Sequence, residues 1–232
     1  MEPFIFESSD FQKELANSPH LAGEVNFLST IAEPGMQVID AGAHRGITAV
    51  ALAKKVQSQG HVYAFEPVPE YYTVTEQNLS RNGLENVSLY QKALSNEVKT
   101  IRFYKQGGGS GIVEADDAEV ILVKTTTIDD FIAEQKIDQI AILSLDCEGS
   151  ELYVFQGAVT VLAEHGPRIF CEIHHSYLTQ LGQSAKQIVE YLQNFGYEVE
   201  LLQVESSARK PEIAECSHIY ACKPLRKTGG KM

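Results

Sequence analysis

Acidic and histidine side chains recur in this sequence where apolar, strand-like runs end. Carboxylates and imidazoles at such places can accept hydrogen bonds from a sugar, hold a cation or move a proton. In an open α/β sheet the chemistry gathers at the carboxyl ends of the strands, so these side chains are expected to meet at one edge. They are Asp40, Glu66, Asp146, Glu148, Glu172, His174 and His175.

Residues 36–66 have the pattern of a nucleotide-binding strand–helix–strand unit. A first apolar run ends in Asp40, a glycine turn spans Gly42 to Gly46, residues at helical spacing follow, and a second apolar run ends in Glu66. Glycines let a backbone approach a neighbour closely. An acid ending the second strand is placed to accept hydrogen bonds from both hydroxyls of a ribose. The pattern therefore predicts a cofactor that contains a ribose.

The glycine spacing narrows the choice of cofactor. Three residues separate Gly42 from Gly46, which does not fit the G-x-G-x-x-G of nicotinamide dehydrogenases, and no lysine follows the turn as in a P-loop ATPase. The remaining pattern, D-x-G-x-x-x-G with an acid ending the next strand, suits S-adenosylmethionine. Asp40 would face the methionine end or order the glycine turn. The predicted cofactor-binding residues are Asp40, Gly42, Ala43, His44, Gly46, Glu66, Ala93 and Asp146.

Strand and helix patterns alternate along the chain, which predicts a parallel sheet with helices on both faces. The last two strands, 197–204 and 218–223, have no helix between them and should form an antiparallel edge. Residues 1–33 are amphipathic and predict a helical extension, a candidate lid over the ligand face. The cofactor-binding domain would then span 34–224, and 225–232 would be a disordered tail. Further predicted strands are 87–94, 98–105 paired with 120–125, 140–145 and 168–173, and further helices are 69–82, 127–132, 150–166 and 184–195.

Composition excludes several classes of protein. The 232 residues carry a formal net charge of −12, which argues against a nucleic-acid partner. No apolar stretch approaches the roughly 20 residues of a membrane span, and no secretory signal is visible. The four cysteines show no C-x-x-C spacing, which argues against a zinc site and favours a reducing cytoplasm. The expectation is a cytoplasmic protein, with a homodimer compatible with these features.

Several segments together resemble the FkbM family of methyltransferases, from about residue 34 to 175. They are VIDAGAHRGITAVALA, VYAFEPVPEYYTVTEQNLSRN, TTTIDDF, ILSLDCEGSELYVFQGA and FCEIH. The resemblance implies a Rossmann-like class I methyltransferase fold with a mostly parallel seven-stranded sheet. It also implies S-adenosylmethionine-dependent O-methylation of a small-molecule or glycan hydroxyl. The chain departs from the family at His44, where Asn is usual, and at Ser144, where Lys is usual.

Methyl transfer to oxygen needs an in-line geometry and a route for the hydroxyl proton. His174 is the predicted general base, with Glu172 orienting it. Asp146 would lie beside the sulfonium or the acceptor, and Glu148 would orient its neighbours or cap the following helix. A Mg²⁺ site formed by Asp146 and Glu148, with or without Glu172, is a less favoured alternative, so no metal is expected.

Two other functions remain open from the residues alone. One keeps the cofactor and methylates a small amine, which would not need a base if the amine arrives neutral. The other is a non-catalytic protein that binds S-adenosylmethionine. The acids beyond the fourth and fifth strands argue against the second, because a pure binder would not require them.

Overall fold

A seven-stranded sheet forms the centre of the molecule. The computed structural model describes residues 17–204 and 211–224. The sheet has the order β3-β2-β1-β7-β8-β10-β9, and a second sheet has the order β4-β6-β5. The strands are β1 (Gln37–Ala41), β2 (His61–Phe65), β3 (Val87–Tyr90), β4 (Ala93–Leu94), β5 (Thr100–Lys105), β6 (Glu119–Thr126), β7 (Ile142–Leu145), β8 (Arg168–Glu172), β9 (Glu198–Leu202) and β10 (His218–Cys222).

Helices cover both faces of the large sheet. They are α1 (Pro19–Ile31), α2 (Ile47–Val56), α3 (Pro69–Arg81), α4 (Ile128–Gln135), α5 (Glu151–Gln156), α6 (His175–Gln180) and α7 (Ala185–Asn194), and a π-helical turn covers Val161–His165. Capping side chains fix several of their starts. The hydroxyls of Ser18, Thr127 and Ser184 accept hydrogen bonds from backbone N–H groups in the first turns of α1, α4 and α7.

The predicted sheet is confirmed. Neighbouring strands run parallel except at β10, which is antiparallel to both β8 and β9. The central strand β1 is buried on both faces. Its Val38 belongs to the apolar layer that contains α1 and α2, and the next residue, Ile39, belongs to the layer on the opposite face. This burial explains why β1 is a continuous apolar run rather than an alternating pattern.

Two predicted elements are interrupted where the backbone of another segment comes close. The strand predicted over 87–94 ends at Tyr90, and Ala93–Leu94 instead pairs with β6 in the second sheet. The helix predicted over 150–166 ends at Gln156. A Cβ at Gly157 would lie 2.1 Å from the carbonyl oxygen of Ser95. The backbone at Ser95 therefore leaves no space for a side chain at the position that follows the helix. The short helix α6 was not predicted.

The predicted pairing of 98–105 with 120–125 is confirmed as the antiparallel hairpin β5–β6. Of the proposed extension over 1–33, the structure describes 17–33, where α1 packs on α2. Residues 1–16 and the predicted tail over 225–232 lie outside the described residues. Within the described ranges, each helix is too short or too polar to cross a bilayer.

Candidate active site

A cavity of about 320 Å³ lies at the carboxyl ends of the central strands. Its volume falls at the lower end of the range for small-molecule sites, about 300 to 1,000 Å³. The glycine turn, the segments after β2, β7 and β8, the start of α1 and the β5–β6 hairpin enclose it. The predicted residues that line it are Gly42, His44, Glu66, Ala93, Asp146, Glu148, Glu172 and His174.

Three predicted cofactor-binding residues do not line this cavity. Asp40 and Ala43 line a smaller neighbouring cavity of about 80 Å³, and Gly46 lines neither of the two. The carboxylate of Asp40 accepts a hydrogen bond from the Thr48 hydroxyl at 2.8 Å, and burial raises its pKa to about 6. Asp40 therefore ties β1 to the first turn of α2, which matches the loop-ordering role of the two considered for it.

The glycine turn is shaped by contacts within the protein. Gly42 has φ +85°, and a Cβ there would lie 1.8 Å from the carbonyl oxygen of Asp146. Gly46 has φ +86°, and a Cβ there would lie 2.8 Å from Cγ2 of Thr75. Side chains other than hydrogen are therefore excluded at Gly42 by the segment that follows β7. The sequence predicted close approach of a ligand, whereas the structure shows close approach of the protein's own backbone.

Glu66 ends β2 with its side chain nearly enclosed. Its two carboxylate oxygens accept hydrogen bonds from the backbone N–H groups of His44, at 2.8 Å, and Val68, at 2.7 Å. Burial raises the pKa of Glu66 to about 7, although both hydrogen bonds act to lower it. Each carboxylate oxygen can accept a second hydrogen bond, so the side chain is fixed in place and still able to accept from hydroxyls in the cavity.

His44 provides a buried polar atom that has no partner among the described residues. Its ring packs edge-on against Tyr71, with 4.2 Å between ring centroids. Among the described residues, no hydrogen-bond partner reaches its buried Nε2 atom. Burial, and then the charge of Arg45, lower the pKa of the ring to about 4, so the imidazole is neutral near pH 7. Because buried polar groups normally find partners, an unpaired nitrogen in a residue that lines both cavities is compatible with contact with a bound molecule.

Four carboxylates surround the His174 ring. Its Nδ1 lies 2.8 Å from Oε1 of Glu151, and its Nε2 lies 3.1 Å from Glu148, 3.5 Å from Asp146 and 3.7 Å from Glu172. Burial acts to lower the pKa of His174, but the hydrogen bond with Glu151 and the surrounding negative charge raise it to about 10. The ring is therefore an imidazolium near pH 7. This state does not suit the predicted role of general base.

Glu151 was not singled out from the sequence. It is fully buried, and its Oε1 also accepts a hydrogen bond from the Gly149 N–H at 3.0 Å. A signal was present: Glu151 is the third acid of D-C-E-G-S-E and starts a short helix that also contains the apolar residues Leu152, Val154 and Phe155. A carboxylate buried at such a place needs a cationic partner, and His174 is that partner.

The three acids near Nε2 of His174 differ in proton affinity. Burial and the charge of Glu172 raise the pKa of Asp146 well above its ordinary value. Burial, opposed by the charge of His174, raises the pKa of Glu148 to about 7. Burial would also raise the pKa of Glu172, but the hydrogen bond from His20 and the charge of His174 lower it overall. Of these three acids, Glu148 is thus the one that is poised to exchange a proton near neutral pH.

The less favoured Mg²⁺ site can be compared with this geometry. Asp146, Glu148 and His174 each offer one ligand atom within 4.8 Å of the others. However, the protonated imidazole lies between the carboxylates considered for Mg²⁺, where a hard cation would be repelled. Mg²⁺ also prefers oxygen ligands in a near-octahedral arrangement. The donor set therefore does not fit Mg²⁺.

The fold and the cavity together define a class. The strand order with one antiparallel strand, a glycine turn after β1 and an acid ending β2 is the Rossmann-like class I methyltransferase fold. Residues 40–199 match the family described as the methyltransferase FkbM domain. The chain therefore belongs to the FkbM methyltransferase family, as its sequence resemblance implied, and the cofactor of this family is S-adenosylmethionine.

Similar proteins agree with this assignment. A Beauveria bassiana protein named Methyltransferase 1 is 23% identical over 143 aligned positions, which cover 52% of this chain and 57% of that protein. An FkbM methyltransferase structure from Methylobacillus flagellatus has a TM-score of 0.54 and 18% identity, covering 85% of this chain and 50% of that one. This chain therefore spans about half the length of both.

An O-methyltransferase from Bacillus cereus, solved in complex with SAH, has a TM-score of 0.52 and 14% identity. The match covers 88% of this chain and 81% of that one. At these identities the structural similarity concerns the fold. The choice of acceptor must therefore be argued from the residues around the cavity.

Proposed function

We propose that this protein is an S-adenosylmethionine-dependent O-methyltransferase that acts on a hydroxyl group of a small molecule or a glycan. The observation that supports this most is the position of Glu148. Its carboxyl has a pKa of about 7 and lines the same cavity as the residues proposed to bind the donor. A hydroxyl acceptor must give up a proton during methyl transfer, and this group can take it.

The proposed donor-binding residues fit the cofactor. Glu66 is fixed by two backbone N–H groups and can accept hydrogen bonds from the ribose hydroxyls. His44 offers its unpaired Nε2, and Ala93 leaves space beside the end of β3 for the adenine. When bound, S-adenosylmethionine supplies a methyl group on a positively charged sulfonium. The carboxylate of Asp146, which also lines the cavity, would face that charge.

Proton transfer is assigned to Glu148, with His174 as a positioning residue. The imidazolium of His174 is held at Nδ1 by Glu151, and its Nε2 directs a positive charge at the Glu148 carboxylate 3.1 Å away. This contact fixes the carboxylate and favours its ionised form. Glu172 lies 3.7 Å from the same Nε2 atom. We assign to Glu172 the role of helping to orient the ring.

The enclosure of the cavity supports a small acceptor or the end of a glycan. The β5–β6 hairpin forms one wall with Ile101 and Phe103, and Gly107, Gly108 and Ser110 lie at its tip. A volume of about 320 Å³ leaves little space beside a bound donor. The net charge of −12 disfavours a nucleic acid as acceptor.

A Glu148→Gln substitution tests this proposal. Transfer of a labelled methyl group to a panel of sugars and other alcohols should fall by about 100-fold in kcat, the lower end of the usual contribution of a general base. Donor affinity should change little, because Gln keeps the shape of the side chain. Glu85→Gln, at an exposed turn before β3, is the matched control and should retain full activity.

The same assay separates the alternatives. Methylation of a neutral amine would survive Glu148→Gln nearly unchanged, which would favour N-methylation. Donor binding without transfer to any acceptor in the panel or in cell extracts would favour a non-catalytic binder. Equal hydroxyl methylation by the variant and the unmodified protein would refute the assigned role of Glu148.

A further inference from the structure

A second cluster of possible metal ligands adjoins the cavity. It consists of His20 and Glu24 on α1, Glu172 at the end of β8, and His218 at the start of β10. Nε2 of His218 lies 2.9 Å from Oε1 of Glu24, and Nε2 of His20 lies 3.0 Å from Oε1 of Glu172. One nitrogen or oxygen atom from each of the four side chains lies within 4.8 Å of the other three.

The spacing of residues on α1 and the pairing of β10 with β8 bring these four side chains together. His20 and Glu24 are four residues apart on α1 and therefore share one face of the helix. His218 and Glu172 are direct partners in the antiparallel pair of β10 and β8, so their side chains lie on the same face of the sheet. The two side chains on α1 face the two on the sheet, and the closest atoms of the two pairs are 2.9 and 3.0 Å apart.

The orientation of the His218 ring is fixed by its surroundings. The ring is fully buried and stacks on Phe170, with 4.7 Å between centroids and an angle of 18° between planes. Its Nδ1 lies 3.0 Å from the Ser217 hydroxyl. Metal-bound histidines commonly use the second ring nitrogen in such a contact, which sets the direction of the first. Nε2 of His218 is thereby directed at Glu24.

We propose that His20, Glu24, Glu172 and His218 bind a first-row divalent transition metal, with Zn²⁺ as the best fit. Bonds of about 2.0 Å in a tetrahedral site place ligand atoms about 3.3 Å apart. Three of the six separations between ligand atoms, 2.9, 3.0 and 3.7 Å, lie around that value, and all six are within 4.8 Å. Two imidazoles favour such metals over Mg²⁺ or Ca²⁺. The cysteine spacing did not indicate this site, because none of its ligands is a cysteine.

A metal at this place would join α1 to the sheet beside the cavity. His20, Glu24 and Glu172 also line the cavity, and Glu172 contacts His174. The metal would therefore hold α1 against the cavity. Metal binding at this cluster does not depend on methyl transfer, and it can be measured separately from activity.

The test uses the untagged 232-residue chain, stripped with a chelator and titrated with Zn²⁺ in competition with a chromophoric chelator. We expect one Zn²⁺ per chain, not displaced by excess Mg²⁺. His20→Gln and Glu24→Gln should each weaken Zn²⁺ binding by at least about tenfold. His61→Gln, at the start of β2 and outside this cluster, is the matched control and should bind Zn²⁺ normally. Circular dichroism checks that each variant is folded.

Several results would overturn the proposal. One is the absence of stoichiometric Zn²⁺ binding by the unmodified chain, and another is its displacement by Mg²⁺. A third is Zn²⁺ binding that Glu148→Gln abolishes and that His20→Gln and Glu24→Gln leave intact, because the metal would then lie in the neighbouring cluster around His174. Co²⁺ gives a check without variants: a four-coordinate absorption spectrum supports the site, and a six-coordinate spectrum contradicts it.

Discussion

At the scale of single residues, Gly42 and Gly35 have nearly the same backbone conformation in different surroundings. Their φ angles are +85° and +86°. A Cβ at Gly42 would lie 1.8 Å from the Asp146 carbonyl oxygen, whereas a Cβ at Gly35 would have no atom within 4 Å. Alanine substitutions at the two positions therefore distinguish the free-energy cost of a left-handed conformation from the cost of a close backbone approach.

We expect Gly35→Ala to lower the free energy of unfolding by about 1 kcal/mol, the cost of the left-handed conformation. Gly42→Ala should lower it by about 3 kcal/mol or more, because the β7–α5 connection must also move. Chemical denaturation measures both values. Equal losses of unfolding free energy in the two variants would contradict the close approach of the Asp146 carbonyl oxygen to Gly42.

Glu66 should make stability depend on pH. Burial raises its pKa from 4.5 to about 7, so the folded state holds a proton that the unfolded state releases between these values. Its contribution to the free energy of unfolding therefore falls as pH rises from about 4.5 to about 7, by about 3 kcal/mol in all.

Glu66→Gln removes this titration. Denaturation curves from pH 4.5 to 7.5 should show the unmodified protein losing stability relative to the variant as pH rises. The change in this difference is the readout, because the amide also weakens one of the two backbone hydrogen bonds at every pH. A difference that stays constant with pH would contradict the raised pKa.

At the scale of elements, α1 is held over the cavity by both of its ends. Near its carboxyl end, Arg168 donates hydrogen bonds to the Ile31 carbonyl and to Glu33. Near its amino end, Ser18, His20 and Leu21 line the cavity. The described part of the extension thus borders the cavity. Its role as a lid stays a prediction.

Gly23→Ala tests how closely α1 approaches the segment after β9. A Cβ at Gly23 would lie 2.5 Å from the carbonyl oxygen of Val204, so we expect the variant to be less stable and to bind the donor more weakly. Helix propensity alone predicts the opposite, a gain of about 1 kcal/mol. Thermal unfolding and donor titration distinguish the two, and a stabilised variant would contradict the close packing of α1.

The sequence predicts well the strands of the large sheet and the helices that pack on its two faces, because burial of these elements determines their apolar patterns. The antiparallel edge was predictable because no helical pattern separates β9 from β10. The division of 87–94 into two strands was not, because only the position of β6 draws Ala93–Leu94 into the second sheet. Likewise, the sequence shows the acids at the strand ends but not the pKa of His174. That pKa depends on Glu151, whose burial follows from the packing of α5.

At the scale of the whole molecule, the large sheet and its glycine turn form one side of the cavity, and α1 with the β5–β6 hairpin forms the other. The first side carries the proposed donor-binding residues, and residues 146–174 carry the proposed proton acceptor. The hairpin wall contributes Gly107, Gly108 and Ser110, whose sequence holds little information about an acceptor. Acceptor choice therefore depends on an enclosure built from several elements.

Calorimetric titration with S-adenosylmethionine tests whether this cavity binds the methyl donor. We expect one bound molecule per chain, with affinity at least about tenfold lower in Glu66→Ala, because the ribose loses a fixed carboxylate acceptor. The exposed Glu85→Ala serves as the control and should bind normally. No binding by the unmodified protein, or unchanged affinity in a folded Glu66→Ala variant, would contradict the assignment of this cavity as the donor site.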